Sequence, residues 1–339
     1  MITIRALNRA TLDRQMLLRR HDITPLEAIS RLGGIQAQAP LSPYVGLWTR
    51  LNAFEPTSLA SLLVDRQVVR GLLMRSTVHL VPVADYVSWR PLTAPVIARQ
   101  FTNGPFGKQV ADPAAVVAAG LELLASRPLS LTELSAGLAP LFPSDDPKAL
   151  GYAIAFLVPL IQVPPRGLWP TSGPAKLSLA QDWLGRELGP SSVDDLILRY
   201  FGAFGPATVK DAQQWSGLTR LREVVERLPL MSLGDGYYDL PDAPRPPEDT
   251  PAPVRFLPQY DNLLLSHAVR TRFITDGRRV PLPPGHGAGF GSVLVDGFYR
   301  ADWRITDGNF YVEPFSPLSK AEQAAVDEEG ERLLTFVNS

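Results

Sequence analysis

The segment VVRGLLMRSTVHLV at residues 68–81 is a strand-like run that predicts a β-hairpin. Upstream of it, the segment ITPLE at residues 23–27 predicts a helix start, because the Thr24 hydroxyl can cap the first backbone N–H groups and Glu27 complements the helix dipole. A short helix, a turn, a second amphipathic stretch and a hairpin in this order are typical of a winged helix.

Two further segments begin in the same way. Residues 129–133 (LSLTE) and 207–211 (ATVKD) each place a capping hydroxyl, Ser130 or Thr208, before an acidic first turn. In the second copy, residues 167–169 and 176–179 are predicted to flank a turn as strands; in the third, a helix at 218–228 precedes a strand at 237–240. The sequence therefore predicts three degenerate winged-helix motifs in tandem.

The last third of the chain has a different pattern. A proline-rich spacer at residues 241–253 is followed by strand-like runs at 254–257, 292–305 and 309–312, and by an amphipathic helix at 319–337. This pattern indicates a section rich in β-hairpins. The predicted fold class is α+β, with winged-helix units at residues 1–105 and 106–190 and a third unit at 191–339 that includes the β-rich section and the closing helix.

Composition excludes several classes of protein. The 339 residues contain no cysteine and only four scattered histidines, so disulfides, zinc ribbons and thiol nucleophiles are excluded and no metal site is expected. No stretch resembles a secretory signal or reaches the length needed to cross a bilayer. We expect a cytoplasmic protein that does not enter a membrane, and a closed tandem array gives no reason to expect anything but a monomer.

Charge is distributed unevenly along the chain. Residues 1–127 contain 14 basic and 8 acidic residues, whereas the remainder contains 19 basic and 26 acidic residues. An arginine-rich first third is what a phosphate-facing surface would look like, because guanidinium groups bind phosphate oxygens in pairs. The alternative is that arginine is simply the preferred cation, since only 5 of the 33 basic residues are lysine.

The segment GGIQAQAP at residues 33–40 contains the most informative polar pair, Gln36 and Gln38. If this segment is extended, the two amides project to the same side. In an ordinary connection between helices such amides are solvated, so the pattern alone leaves their role open. No pair of acids, nucleophile triad or phosphate-binding glycine loop offers a competing site in the sequence.

Four segments together resemble the AlkZ-type winged-helix DNA glycosylases. They are GIQAQAPLSPY at residues 34–44, LMRSTVHLV at 73–81, LPQYDNLLLSH at 257–267 and FSPLSK at 315–320, and their order covers essentially the whole chain. The resemblance implies three winged helices and excision of N7-alkylated purines; one branch of the family unhooks the interstrand crosslinks made by azinomycin-type natural products. The family's Gln-x-Gln/Asp signature falls on Gln36 and Gln38, while Val269 stands where the related pattern often has Asp.

The implied chemistry needs no strong acid or base. Alkylation at N7 places a positive charge on the purine, so the glycosidic bond is already activated. Gln36 and Gln38 are then expected to hold a water beside the anomeric carbon and to offer carbonyl dipoles to the developing positive charge. The resemblance thus implies a monofunctional glycosylase without cofactor, whose partner is duplex DNA containing alkylated or crosslinked purines.

Three groups of residues are candidates for supporting roles. Arg75, Thr77 and His79 alternate along the first wing and are predicted to face DNA; the alternative is a half-buried strand with Arg75 paired to a carboxylate and His79 bonded to backbone. A wedge that enters DNA is predicted between residues 276 and 291, with the following candidate contacts: Arg278, Arg279, His286 and Phe290. Its alternative is an ordinary hairpin loop.

The third group follows the strand-like run at 254–257. Asp261, Asn262 and His267 are predicted to position a phosphate or to support the attacking water, although a buried histidine that anchors a loop explains His267 equally well. Two other functions remain open at this stage: a winged-helix DNA-binding or regulatory protein without enzymatic activity, and a structural interaction protein. The Gln36/Gln38 pair favours the enzyme, because a regulator would not require it.

Overall fold

The computed structural model describes residues 2–170, 172–278, 291–306 and 308–338. The α-helices in these residues are α1 (Ile4–Arg14), α2 (Pro25–Arg31), α3 (Ser42–Trp48), α4 (Pro56–Val64), α5 (Val83–Asn103), α6 (Pro113–Ser126), α7 (Leu131–Leu138), α8 (Pro147–Leu157), α9 (Ala180–Leu184), α10 (Val193–Phe204), α11 (Val209–Ser216), α12 (Arg222–Arg227) and α13 (Lys320–Val337). The strands are β1 (Ile35–Gln36), β2 (Val68–Leu72), β3 (Val78–Pro82), β4 (Leu129–Ser130), β5 (Leu160–Val163), β6 (Lys176–Leu179), β7 (Ala207–Thr208), β8 (Met231–Gly234), β9 (Tyr237–Asp239), β10 (Arg255–Leu257), β11 (Gly291–Val295), β12 (Phe298–Thr306) and β13 (Asn309–Pro314).

One order of elements recurs along the chain: a helix, a short strand, two helices and a pair of strands. It is formed by α2 to β3, by α6 to β6 and by α10 to β9. In each copy the short strand pairs antiparallel with the last strand, as β1 does with β3, β4 with β6 and β7 with β9. The result is a mixed fold of helices and antiparallel sheets.

All three predicted capping residues cap a helix in the structure, but these helices do not occupy the same place in their copies. Thr24 accepts a hydrogen bond from the Glu27 amide at the start of α2, the first helix of its copy. Ser130 and Thr208 form capping boxes with Glu133 and Asp211 at the starts of α7 and α11, the second helices of theirs. The predicted alignment of the copies was therefore wrong for the first one, because a capping sequence marks where a helix begins and not its place in a repeat.

The first two copies share one sheet, with strand order β1-β3-β2-β5-β6-β4. They are joined where β2 pairs with β5, with Arg70 opposite Gln162 and Gly71 opposite Ile161. The predicted strand at residues 167–169 is wrong: β5 lies at Leu160–Val163, and the segment between it and β6 forms a longer connection. The predicted helix at 218–228 is shorter, Arg222–Arg227.

The C-terminal section forms a four-stranded sheet, β10-β11-β12-β13, and α13 begins at a Ser319 capping box. Within the described residues, the apolar side chains of this sheet and of α13 cluster with the first copy and with α1, and not with the third copy, with which the sequence predictions grouped them. Phe256, Trp303 and Phe336 share a buried cluster with Ile35 and Leu47 of the first copy. The third copy packs instead against α5 and the β2–β3 hairpin, so the units interlock.

Several arginines of the first third lie in the interior of the molecule. Five of the 13 arginines in residues 1–127 are buried: Arg9, Arg14, Arg50, Arg70 and Arg90. The charge excess there is thus partly a property of the interior and cannot all face phosphate. No helix in the described part of the chain combines the length and the apolar composition that crossing a membrane requires.

Candidate active site

The strand that carries Gln36 is placed by two glycines at the end of α2. Gly33 and Gly34 have φ values of +66° and +85°, and a Cβ on Gly34 would lie 2.5 Å from Cγ1 of Val81. Only glycine allows both this backbone conformation and this close approach. The turn lays β1 against β3, with Gln36 opposite His79.

Gln36 is buried, with 4% of its surface exposed, and its side chain is held by Arg75. Nη2 of Arg75 donates to Oε1 of Gln36 at 2.8 Å and to Oδ1 of Asn262 at 2.9 Å. Nδ2 of Asn262 in turn donates to the Gly34 carbonyl oxygen at 3.2 Å. The network therefore holds both the side-chain amide of Gln36 and the backbone at Gly34, from which its strand begins.

Arg75 reaches this position from the tip of the β2–β3 hairpin, where its φ is 55°. Nη1 donates to the Trp215 carbonyl oxygen at 2.9 Å, which ties the hairpin to the third copy. Burial, followed by the nearby Arg270 charge, lowers the pKa of Arg75 to about 10, so the side chain remains cationic at neutral pH. Arg75 thus pairs with two amides and not with the carboxylate that the structural alternative expected.

Gln38 has a different environment. It is exposed, and its Oε1 accepts a long hydrogen bond of 3.3 Å from the Val78 amide. Its side chain lies at the wall of a pocket of about 250 Å³ between the first two copies. Other concave regions of the surface are larger, but neither glutamine lines them.

Between the two glutamines, the backbone is held by Arg70. Nη2 of this buried arginine donates to the Ala37 carbonyl oxygen at 2.8 Å, and Nη1 donates to that of Pro40 at 3.2 Å. Burial lowers the pKa of Arg70 to about 9, with a further contribution from Arg166. Arg70 was not among the predicted site residues; the available signal was an arginine inside the apolar run of β2.

The three residues predicted to support the site separate into different roles. Asn262 belongs to the Gln36 network. Asp261 instead forms a buried ion pair with Arg50, at 2.9 Å and 3.0 Å, and accepts from the Leu263 amide. Asp261 therefore holds the loop, and the sequence gave no indication that Arg50 is its partner.

His267 anchors the neighbouring loop. It is fully buried, and Nε2 donates to the Phe204 carbonyl oxygen at 3.0 Å. Burial lowers its pKa to about 3, with the Arg272 charge as the next cause, so the ring is neutral. The Ala268 amide donates to Asp211 at 2.8 Å, and Val269 is 61% exposed. This geometry matches the loop-anchoring alternative and places His267 out of contact with solvent.

Arg75, Thr77 and His79, which were predicted to face DNA along the first wing, do not form an exposed row of side chains. His79 is fully buried, and Nδ1 donates to the Thr77 carbonyl oxygen at 3.0 Å. Burial, with Arg75 next, lowers the pKa of His79 to about 3. Thr77 is half-buried, and its hydroxyl donates to the Met74 carbonyl oxygen. The predicted alternation along one strand was wrong, because Arg75 lies in the turn before β3 with a φ of 55° and β3 itself is buried along most of its length.

The predicted wedge is described only at its edges. Arg278 is exposed, pairs with Asp276 at 2.9 Å and lies 3.5 Å from the centre of the Phe315 ring. Arg279, His286 and Phe290 lie outside the described residues. The described residues contain no group of three or more His, Asp or Glu side chains arranged to hold a metal ion.

The site thus combines a buried amide, Gln36, whose side chain Arg75 holds, with an exposed amide, Gln38, on a segment whose backbone Arg70 holds. The model of the family "DNA glycosylase AlkZ-like" matches residues 29–336, so the chain belongs to this family and is a DNA glycosylase.

Among solved structures, the chain is similar to the Streptomyces sahachiroi DNA glycosylase AlkZ. The TM-score is 0.74 over 99% of this chain and 97% of that one. At 19% identity this likeness shows the fold. No curated protein sequence matches the chain.

Proposed function

We propose that the protein is a monofunctional glycosylase that hydrolyses the N-glycosidic bond of cationic N7-alkylpurines in duplex DNA, including purines in azinomycin-type interstrand crosslinks. The observation that carries this proposal is the placement of Gln36 and Gln38 on one short backbone segment, held by Arg70, with Gln38 at the wall of an open pocket. Neutral amides in this position suit a leaving group that is already charged.

The proposed reaction balances without a protein acid. As the C1′–N9 bond breaks, its electron pair goes to the purine and neutralises the positive charge there. Water adds to C1′ and loses a proton to the solvent. Gln36 and Gln38 position this water and present amide dipoles to the oxocarbenium-like sugar. An amide oxygen has two lone pairs, so the bond from Arg75 to Gln36 leaves one available for the water.

The scaffold has a proposed role as well. We assign each of the three copies as a winged helix, keep unit boundaries at residues 1–105, 106–190 and 191–339, and propose that a monomer binds duplex DNA without metal or cofactor. Arg278, Arg279, His286 and Phe290 remain the proposed DNA wedge. Arg75 is reassigned from DNA contact to positioning Gln36, and His79 and His267 to anchoring their loops.

Incubation with duplex DNA containing N7-methylguanine tests the activity, with free base and abasic sites as readouts. We expect Gln36→Ala and Gln38→Ala each to reduce the single-turnover rate by about 10²–10³-fold, the usual loss on removing one positioned polar group. Duplex affinity should be retained. Gln323→Ala on α13, which removes an exposed amide, serves as the matched control and should keep the wild-type rate.

Two outcomes would contradict the proposal. Duplex binding without base release by the wild type would support a regulatory protein. Release of deaminated, uncharged bases as fast as N7-methylguanine would contradict the mechanism, because amides alone do not activate a neutral leaving group. A defined azinomycin-type crosslink assayed beside the monoadduct measures whether crosslinks belong to the substrate range.

Borohydride trapping of a covalent enzyme–DNA intermediate should fail, since no lysine lies in the motif at residues 33–40.

A further inference from the structure

The pocket beside Gln38 lies where the first two copies join. Its walls are formed by the β2–β3 hairpin, by β5 and β6, and by α7 and α8 of the second copy. Leu72 and Val78 contribute apolar side chains from one side, and Tyr152 and Phe156 contribute aromatic rings from the other. The pocket thus depends on the β2–β5 pairing and does not exist in either copy alone.

The residues that form the walls of the pocket carry no charge. Every described residue that lines the pocket is apolar, aromatic or neutral, although the proposed substrate is a polyanion. A site for phosphate would present guanidinium or ammonium groups. Apolar and aromatic walls with a few polar groups are instead typical of a site for a flat organic ring.

The aromatic wall is held rigidly. The Tyr152 ring stacks on Phe106, with 4.2 Å between ring centres and 9° between planes, and packs obliquely against Phe156 at 6.2 Å. A ring that is supported on its far face keeps its orientation when the pocket is empty. Such a wall binds a planar group at a low cost in conformational entropy.

Neutral hydrogen-bonding groups are also present. Gln38 lies at one wall, and Gln162 lies at another, with its Oε1 3.4 Å from Nη2 of Arg70. A bound group with polar edges would find hydrogen-bond partners in these two amides.

The volume limits the size of the occupant. A cavity of about 150 Å³ holds one benzene ring. The pocket of about 250 Å³ therefore has room for a system of about two fused rings.

We propose that this pocket binds one uncharged fused-ring group of the lesion while Gln38 acts at the adjoining sugar. The proposal rests on the proposed function. Two sources share this chemistry: the purine base as it leaves, and an aromatic substituent attached to N7. For the purine, the uncharged walls give a catalytic advantage, because bond cleavage removes the positive charge from the base and an apolar site favours the neutral form.

The test fills the pocket with Ala155→Phe, a substitution on α8 at a lining position. Ala136→Phe, on an exposed position of α7 outside the pocket, is the matched control. Two duplexes are compared, one with N7-methylguanine and one with N7-(naphthylmethyl)guanine. Binding of free 7-methylguanine is measured separately by calorimetry, so that one readout does not depend on activity.

If the pocket receives the purine, Ala155→Phe should slow excision of both lesions by about tenfold or more and abolish binding of 7-methylguanine. If it receives the substituent, the variant should slow excision of the naphthylmethyl lesion alone. Gln162→Leu, which keeps side-chain size, should give the same pattern with smaller effects. It tests the proposal even if Ala155→Phe does not fold. Equal rates for wild type and folded variants on both lesions would overturn the proposal, whereas a wild type that releases neither base would overturn the proposed function itself.

Discussion

Arg75 connects two sequence motifs that lie more than 200 residues apart, at residues 34–44 and 257–267. Its guanidinium donates to Gln36 of the first motif and to Asn262 of the second, so both amides are oriented by one cation. A protonated arginine close to a developing oxocarbenium ion is electrostatically unfavourable unless its charge is balanced. DNA phosphates would balance it, so the contact suits a site that acts only with DNA bound.

Arg75→Met tests this positioning role. Losing a charged hydrogen bond typically costs about 1.5–3 kcal/mol, so we expect kcat for N7-methylguanine release to fall about 10- to 100-fold with little change in KM for the duplex. Single-turnover kinetics and binding titrations at several salt concentrations provide the measurement. If the variant instead binds the duplex more weakly, and the slope of log affinity against log salt concentration falls by about one, Arg75 binds a phosphate. Arg332→Met, on the exposed face of α13, is the control.

The two buried histidines make stability depend on pH. His79 and His267 have pKa values lowered to about 3 by burial, whereas an unfolded histidine titrates near about 6.5. Below pH 6.5 the unfolded chain binds protons that the folded chain does not. The free energy of unfolding should therefore be steady above about pH 7.5 and should fall as the pH drops through 6.5 toward 3.

Urea unfolding at pH 7.5 and 5.5 measures this effect. His79→Gln should lower stability at pH 7.5 but reduce the difference between the two pH values. An unchanged difference would contradict the assignment of His79 as a neutral, buried ring. Gln323→Ala, which removes an exposed side chain on α13 that does not titrate, is the control.

At the scale of elements, the site depends on the fit of β1 against β3. This strand is only two residues long, Ile35–Gln36, and it follows directly on Gly33 and Gly34. A two-residue strand gains little from its own hydrogen bonds. Its position is therefore set by the glycine turn on one side and by the Arg70 bonds to Ala37 and Pro40 on the other.

Gly34→Ala should displace this strand. The new Cβ would lie 2.5 Å from the Val81 side chain, in addition to the strain of a positive φ. Gly236→Ala in the β8–β9 turn is the matched control, because its φ is +78° and nothing lies within 4 Å of the added atom. We expect Gly34→Ala to destabilise the protein by about 1–3 kcal/mol more than the control and to slow base release. Equal destabilisation of both variants would show that β1 adjusts freely.

Local signals predicted the element boundaries well where the side chains act on their own backbone. Ser130, Thr208 and Ser319 each begin a helix with a capping box, and the runs at 254–257, 292–305 and 309–312 overlap the strands of the last sheet to within two residues at each end. The equivalence of the three copies was predicted less well. It depends on which strands pair, and a capping sequence carries no information about pairing.

At the scale of the whole molecule, buried ion pairs join parts of the chain that are distant in sequence. Arg50 of the first copy pairs with Asp261, which follows β10 of the last sheet, and Arg14 of α1 pairs with Asp239 of β9. Both pairs are almost completely buried. Buried pairs of this kind add little net stability compared with apolar contacts, but breaking one leaves an uncompensated charge in the interior.

Asp261→Asn should therefore destabilise the whole protein. We expect a loss of about 3–5 kcal/mol, because Arg50 would remain buried without its counter-ion. Glu328→Gln, which breaks an exposed pair with Arg332, should change stability by about 0.5 kcal/mol or less. Chemical denaturation of both variants measures the difference. Similar small losses would show that water reaches Arg50.

The sequence by itself determined the helix caps, most of the strands and the combination of helices with antiparallel sheets, because each depends on residues close together in the chain. Gln36 and Gln38 were singled out by the resemblance to a family motif, and their catalytic role stays a prediction. Only the tertiary structure decided which groups hold that pair. Arg70, Arg75 and Asn262 lie on separate elements and together hold the segment that carries the pair. The same packing buries His79 and forms the pocket between the first two copies. Contacts of this kind follow from how sheets pair and cores interlock, and no local pattern of residues encodes them.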